Sequence, residues 1–460
     1  MEDTIAAIST NLSGPAGIGI IRVSGEDAID IADRIFLSPY GRKLKEAASH
    51  TIHYGKVLDA DGRVCDECLV SVMRAPHTYT RENVVEFNCH GGILVQKKVL
   101  ASVIAAGARP AQPGEFTRRA FLNGRIDLSQ AEAVMDLINA KNSWAVSASV
   151  LQLSGRLSRE LEEIRDGILD HTARIEAALD DPEHMELVNY GSILKKDVER
   201  WESQLNALLE HADEGRILKE GIRTVILGRT NAGKSSLMNL LSGADRAIVT
   251  DVAGTTRDIL EENVTVNGLS LLLMDTAGIR RTDDIVEKIG VEKAWGAVED
   301  ADLILYVIDS SQTLEEEDYS IIRRLKESGV FYITLLNKND LNARLKKEDI
   351  KPLLPSPVIS FSARTGDGMD ELKRILTEKF ASGALQSNDQ VIITNERHKY
   401  LLREAQKSLN NVEKSIRDGL SEDFFTIDLM GAYTSLGMIL GKEIEDDLAD
   451  RIFSKFCMGK

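Results

Sequence analysis

Cysteine is scarce. Cys65, Cys68, Cys89 and Cys457 are the four in 460 residues, too few to frame a chain of this length with disulfides. Long apolar runs are missing too. No stretch reaches 18 apolar residues, and the amino-terminal segment lacks the basic start and cleavage site of a secretory leader, so a soluble, cytoplasmic protein with no membrane partner is expected. Positive charge is in deficit, with 56 Lys and Arg against 73 Asp and Glu and a net charge of −17. That excludes nucleic-acid binding through a broad basic face, and any RNA contact must be local or made through a partner. Cys65-Asp66-Glu67-Cys68 has metal-ligand spacing, with Cys89-His90 as a conceivable second pair. No second C-x-x-C answers it, and the segment also reads as a strand with its entry turn, which is the expectation.

What is present is ordinary core material, 43% apolar, in a length that suits about three domains. The chain is organised around Gly228-Arg229-Thr230-Asn231-Ala232-Gly233-Lys234-Ser235, a G-x-x-x-x-G-K-S directly after the apolar run Thr224-Val225-Ile226-Leu227. Between a strand and a helix such a loop turns its backbone N–H groups around phosphates, which the helix N-terminus also attracts. Lys234 is expected to reach phosphate oxygens and Ser235 to ligate Mg²⁺. Downstream, Leu271-Leu272-Leu273-Met274 leads into Asp275-Thr276-Ala277-Gly278, where a carboxylate can support the Mg²⁺ shell and the Gly278 amide can meet the γ-phosphate. A strand over 332–336 delivers Asn337-Lys338-Asn339-Asp340, and Ser362-Ala363-Arg364 closes the base pocket. The Asp340 carboxylate can accept from N1–H and the 2-amino group of guanine, donors that adenine lacks. GTP binding follows from the four elements in this order.

Ala253-Gly254-Thr255-Thr256-Arg257-Asp258 is the natural switch between phosphate loop and Asp275. Ile279 follows Gly278 where a water-orienting glutamine would be useful, so Asp283, Asp284 and Glu287 are candidates for that task. Charge compensation has two readings, an arginine finger from Arg257, Arg280 or Arg281, or a monovalent cation on the amide oxygen of Asn231. The residues themselves leave the two evenly matched.

The flanking segments read as follows. Strands are expected over 17–23, 51–58, 68–73 and 84–88, with helices over 28–36 and 93–106, giving an α+β domain over 1–120. Arg22 and Glu86 stand in apolar strands, where alternation can turn them to solvent. Residues 109–117 read as extended. Helical periodicity then runs over 131–140, 143–178 and 194–211, with Trp144, Val150, Leu157 and Leu161 as a core stripe, and it resumes over 391–456. The organisation expected is a multidomain α/β protein: 1–120, a helical part over 121–220, a P-loop G domain over 221–384 inserted into the bundle, and a second helical part over 385–460.

Three motifs carry a family resemblance: T-x-R-A-F-L-N-G-[KR]-[LI]-D-L over 117–128 with one residue varied, Gly254-Thr255-Thr256-Arg257-Asp258, and Phe456-Cys457-Met458-Gly459-Lys460. With them the chain resembles, nearly end to end, the bacterial MnmE (TrmE) family of tRNA-modification GTPases. The resemblance implies a K⁺-stimulated GTPase that works with an MnmG-type flavoprotein, in a heterotetramer, to place a carboxymethylaminomethyl or aminomethyl group on C5 of the wobble uridine of tRNA. It implies a homodimer through an amino-terminal domain like tetrahydrofolate-binding folds. A 5-formyl- or 5,10-methylene-tetrahydrofolate would meet Arg22, Glu86, Arg125 and Lys460; Arg125 stands where lysine is more usual.

By the same resemblance GTP contacts fall on Asn231, Ala232, Gly233, Lys234, Ser235 and Ser236, on Thr250, Asp251, Val252, Ala253, Gly254, Thr255 and Thr256, and on Asp275, Thr276, Ala277 and Gly278. The base contacts are Asn337, Lys338, Asp340, Ser362, Ala363 and Arg364. Mg²⁺ would take Ser235 and Thr256, and K⁺ would take Asn231, Thr250, Val252 and Thr255. Catalytic roles fall to Glu287, Lys234 and Cys457. Thr230 stands where the family usually has proline, and Arg81 where it has glycine. A regulatory GTPase switch in ribosome or ribonucleoprotein assembly is the alternative, disfavoured because no basic appendage is present.

Overall fold

The computed structural model describes residues 3–181, 183, 184, 187, 189–210, 212–244, 262–274, 295–380, 393–443, 451–454, 456 and 459. The chain divides into two units. One comprises Met1–Met135, Leu153–Asp170 and Tyr433–Lys460, the other Asp136–Gln152 and His171–Ala432.

In the first unit seven strands, β1 (Ile5–Ile8), β2 (Ile18–Ser24), β3 (Phe36–Leu37), β4 (Thr51–Leu58), β5 (Val64–Met73), β6 (Val84–His90) and β7 (Arg109–Pro110), form one sheet in the order β3-β4-β5-β6-β2-β1-β7. Alternation sets its faces. Ile21, Val23, Val70, Val72, Val85 and Phe87 are buried with apolar residues of α1 (Ala28–Ile35) and α2 (Ile93–Ala105). Arg22 and Glu86 therefore lie on the other face, as alternation requires. β1 carries no strand signal of its own because Ile5-Ala6-Ala7-Ile8 is short and weakly β-forming; it exists by pairing antiparallel with β2 and parallel with β7.

Helix α3 (Glu115–Leu122) begins inside the segment read as extended, and α4 (Leu128–Asn139) follows. The single helix expected over 143–178 is two, α5 (Ser143–Leu153) and α6 (Arg156–Asp180). The break falls where Gly155 takes φ +75°, and Gln130 Nε2 donates to the Leu153 carbonyl at 3.0 Å, satisfying an end that a continuous helix would bond itself. Of the apolar stripe, Leu157 and Leu161 are core, whereas Val150 is 51% exposed.

In the second unit a six-stranded sheet runs β13-β12-β11-β8-β10-β9, built from β8 (Ile222–Leu227), β9 (Glu262–Val266), β10 (Leu269–Leu273), β11 (Leu303–Asp309), β12 (Tyr332–Asn337) and β13 (Val358–Ser360). All neighbours are parallel except β9 with β10. β11 and β12 are buried throughout, the mark of strands covered on both faces. Residues expected to be two separated helical blocks pack together: α7 (Tyr190–Glu210) buries Leu194, Val198, Trp201 and Leu205, the helix Glu396–Arg417 buries Leu402, Ala405, Leu409 and Val412, and Gln406 Nε2 bonds Asn206 Oδ1 at 2.5 Å. Among the described residues no helix is long and apolar enough to cross a membrane.

Candidate functional site

Four connections leave the carboxyl ends of β8, β11, β12 and β13 on one edge of the second sheet, the edge where parallel α/β sheets place ligands. After β8 the chain turns at Gly228, φ +150°, where a Cβ would lie 2.3 Å from the Val307 carbonyl oxygen. Only glycine fits there. The loop ends at Gly233, φ +103°, whose missing Cβ leaves room for the Asn337 amide, 2.1 Å from the position that atom would take. Asn231 holds φ +60°, and α8 (Lys234–Ala244) starts directly. Lys234 Nζ donates to the carbonyls of Gly228 and Arg229 at 2.7 and 2.8 Å. The ammonium is thus held across the loop by the loop's own backbone.

Asn337 joins the phosphate loop to the base-reading segments. Its Nδ2 donates to the Ala232 carbonyl at 2.8 Å and its Oδ1 accepts from the Ala363 N–H at 2.9 Å. Asp340 Oδ1 accepts from Ser362 Oγ at 2.7 Å, and Arg364 Nη1 stands 3.9 Å from Oδ2. The structure thus brings Asn231, Ala232, Gly233, Lys234, Ser235 and Ser236 together with Asn337, Lys338, Asp340, Ser362, Ala363 and Arg364. Thr250, Asp251, Val252, Ala253, Gly254, Thr255, Thr256, Asp275, Thr276, Ala277, Gly278, Glu287, Cys457 and Lys460 lie outside the described residues.

Two participants take roles that no motif announces. Asp309, at the end of β11, bonds Lys338 Nζ at 2.6 Å and accepts from Ser311 Oγ and N–H. Burial opposes its charge, but Lys338 and Ser311 outweigh that and hold the carboxyl below the usual aspartate range. Arg229 turns toward Glu315 and Asp318 at 2.5 and 3.1 Å. The β11–β12 register, which pairs Asp309 with Asn337, is the signal that finds Asp309; the sequence alone does not contain it.

A second cluster lies on the other face of the first sheet, where Phe116 of α3 packs with Ile5 and Ala7 of β1. Register pairs Arg22 with Glu86, and Arg22 Nε meets Glu86 Oε1 at 2.8 Å. The guanidinium lies 5.4 Å from the Tyr79 ring centre and 5.7 Å from that of Phe116, while Arg125 stands 4.8 Å from the same Tyr79 ring. Arg22 Nη1 is buried with no hydrogen-bond partner among the described residues. A buried donor of this kind suits an anionic or carbonyl-rich ligand. Arg81, at φ +61° in the left-handed region, donates to the Asn123 carbonyl at 2.8 Å, close to the turn that carries Arg125. Phe453, Phe456 and Gly459 belong to this neighbourhood too. Phe453 and Phe456 pack with Ala120, Leu128 and Tyr79, and Ser9 Oγ donates to the Gly459 carbonyl at 3.0 Å.

Cys68 and Cys89 are core residues of this sheet. Burial, then nearby Asp66, pushes the Cys68 thiol up to about 12 and the Cys89 thiol up to about 11. Cys65 Sγ sits against Ser102 Oγ at 3.5 Å. Among the described residues no group of three His, Cys, Asp or Glu side chains is arranged to hold a metal.

Comparison with known proteins finds relatives along the whole chain. The family described as GTP-binding protein TrmE N-terminus matches residues 4–125, and the MnmE helical domain family matches residues 128–457. Proteins named tRNA modification GTPase MnmE are similar along their whole length: 50% identical in Lachnoclostridium phytofermentans, covering 100% of this chain and 99% of that protein; 47% in Geobacillus kaustophilus, with 100% and 99% covered; and 49% in Lactobacillus delbrueckii subsp. bulgaricus, with 100% and 98% covered.

Proposed function

The chain belongs to the MnmE (TrmE) family, and on that premise we propose that it is a GTPase whose turnover serves the modification of tRNA. The observation that carries the nucleotide half is the Asn337 amide, which ties the Ala232 carbonyl of the phosphate loop to the Ala363 N–H of the base-closing turn. A guanine read by Asp340 is thereby set at a fixed distance from phosphates gripped at Lys234.

In this reading Lys234 exchanges its two carbonyl partners for phosphate oxygens, stabilising charge that moves onto the leaving diphosphate. Glu287 would orient the attacking water. Ser235 and Thr256 would hold Mg²⁺; Asn231 with the carbonyls of Thr250, Val252 and Thr255 would hold K⁺. When bound, these cations supply positive charge for the β–γ bridging oxygen. The neutral amide oxygen of Asn231, on a loop residue already at φ +60°, is a donor suited to a large monovalent ion.

The tRNA half is proposed with it. Arg22, Glu86, Arg125 and Lys460 would hold a one-carbon tetrahydrofolate, which supplies the carbon that becomes the C5 substituent of the wobble uridine. The orphaned Arg22 Nη1 and the paired Glu86 offer it a donor and an acceptor. A homodimer, an MnmG-type flavoprotein partner, a role for Cys457 in the modification, a cytoplasmic location, and domain limits near residues 120, 220 and 384 belong to the same proposal.

Two experiments test it. GTP hydrolysis should rise at least about ten-fold when K⁺ replaces Na⁺, with Asn231→Ala removing most of the rise; equal rates in both salts favour an arginine mechanism instead. Nucleoside analysis of tRNA from cells lacking the chain should find wobble uridines without their 5-aminomethyl-type group. Unaltered wobble uridines refute the tRNA role.

A further inference from the structure

A guanidinium inside a phosphate loop invites assignment as a phosphate ligand or an arginine finger. Arg229 does neither here. Its Nη1 meets Glu315 Oε2 at 2.5 Å, its Nε meets Asp318 Oδ2 at 3.1 Å, and its Nη2 donates to Gln312 Oε1 at 3.2 Å. The side chain is 11% exposed, so its contact with buried Asp318 is sheltered from solvent and salt, while those with Glu315 and Gln312 lie nearer the surface. The acceptors are themselves fixed. Asp318 is 2% exposed, accepts from Tyr306 Oη and from the Glu315 N–H, both at 3.1 Å, and closes the capping box of the helix Glu316–Ser328. Tyr306 in turn is buried in β11, in register with Leu227 at the end of β8.

We infer that Arg229 is a positioning residue that fastens the first turn of the phosphate loop to the segment after β11 and, through the loop backbone, places the Lys234 ammonium. The link is short. The two carbonyls that receive Lys234 Nζ belong to Gly228 and to Arg229 itself, so whatever fixes the backbone of these two residues fixes the lysine. Anchoring at one fork of a guanidinium restrains orientation as well as distance. A loop so preorganised does not have to be ordered by the nucleotide, and the entropy otherwise lost on binding is saved. The inference rests on the GTP reading for its consequence in binding, while the tether is a property of the loop without nucleotide.

The test uses the full-length protein. Arg229→Met should speed amide hydrogen exchange over residues 228–235 without nucleotide, weaken binding of a fluorescent GTP analogue by about ten-fold, and change the saturated hydrolysis rate less than affinity. Arg229→Lys should recover part of the affinity through charge alone. Glu315→Gln, on a side chain 65% exposed, is the variant certain to leave the buried cap charge in place. It should move both readouts the same way by less, and combined with Arg229→Met it should add nothing. Unchanged loop exchange in Arg229→Met overturns the inference. So does a fall in saturated rate with affinity intact, the signature of a finger, or an additive double variant. If Arg229→Met does not fold, unchanged exchange and affinity in Glu315→Gln overturn it equally. A wild-type protein that ignores GTP refutes the GTPase reading, while the exchange measurement still decides the tether.

Discussion

Asp340 divides its carboxylate between duties. Oδ1 takes the Ser362 hydroxyl at 2.7 Å, which aims the group, and the remaining acceptor capacity is what a guanine edge needs. Replacing it by Asn puts an N–H₂ donor against guanine donors. Asp340→Asn should weaken GTP by about 100-fold, roughly 3 kcal/mol, and should favour xanthosine triphosphate, whose 2-oxo group accepts from an amide. Displacement of a fluorescent nucleotide measures both; an unchanged preference between the two bases would remove Asp340 as the reader. Glu287→Ala should lower the hydrolysis rate with GTP affinity nearly intact, because water orientation matters in the transition state, and a parallel loss of affinity sets that role aside. In the first unit, the buried neutral thiols of Cys68 and Cys89 should escape alkylation at about pH 8 until the protein unfolds, since the thiolate is the reactive form. Rapid labelling of either in the native state contradicts their placement in the core.

At the scale of elements, the phosphate loop is a strained connection supported by its neighbours. Gly228→Ala forces a Cβ to within 2.3 Å of the Val307 carbonyl oxygen at φ +150°, and should destabilise the nucleotide unit by about 2–4 kcal/mol. A denaturant midpoint equal to wild type would mean that the turn between β8 and α8 is looser than this. The loop was legible because its glycines and lysine lie within eight positions and their spacing is the geometry. Helix α5 was not legible as separate from α6, since periodicity continues through Gly155 and the Gln130 amide that completes the end of α5 comes from 23 positions away. β1 and β7 share that limitation, being strands by virtue of the edge they complete.

The whole molecule is acidic, yet in each unit a buried carboxylate depends on its cations. Burial disfavours charge on Glu115, but Arg109, the Gln112 N–H and Arg119 more than offset it and hold its pKa below the ordinary 4.5; Asp309 is lowered likewise beside Lys338. A carboxyl more acidic in the folded than in the unfolded chain stabilises above its unfolded value, and that contribution disappears as pH falls through the folded one. Stability to denaturant should therefore drop below pH 4.5, and Glu115→Gln should be less stable than wild type at neutral pH with the difference shrinking as pH falls further below that value. A difference independent of pH would mean that packing, not charge, is what Glu115 contributes. By itself the sequence determined what lies within one turn or one strand: the phosphate loop, the base-reading Asn337 to Asp340, the alternation that sends Arg22 and Glu86 to one face, and the family. Tertiary structure alone decided which of these meet. Arg22 finds Glu86 across 64 positions and Asn337 finds Ala232 across 105, while Arg229 turns from the phosphate side to Asp318. Such pairings follow from strand register and sheet order, which short-range pattern does not encode.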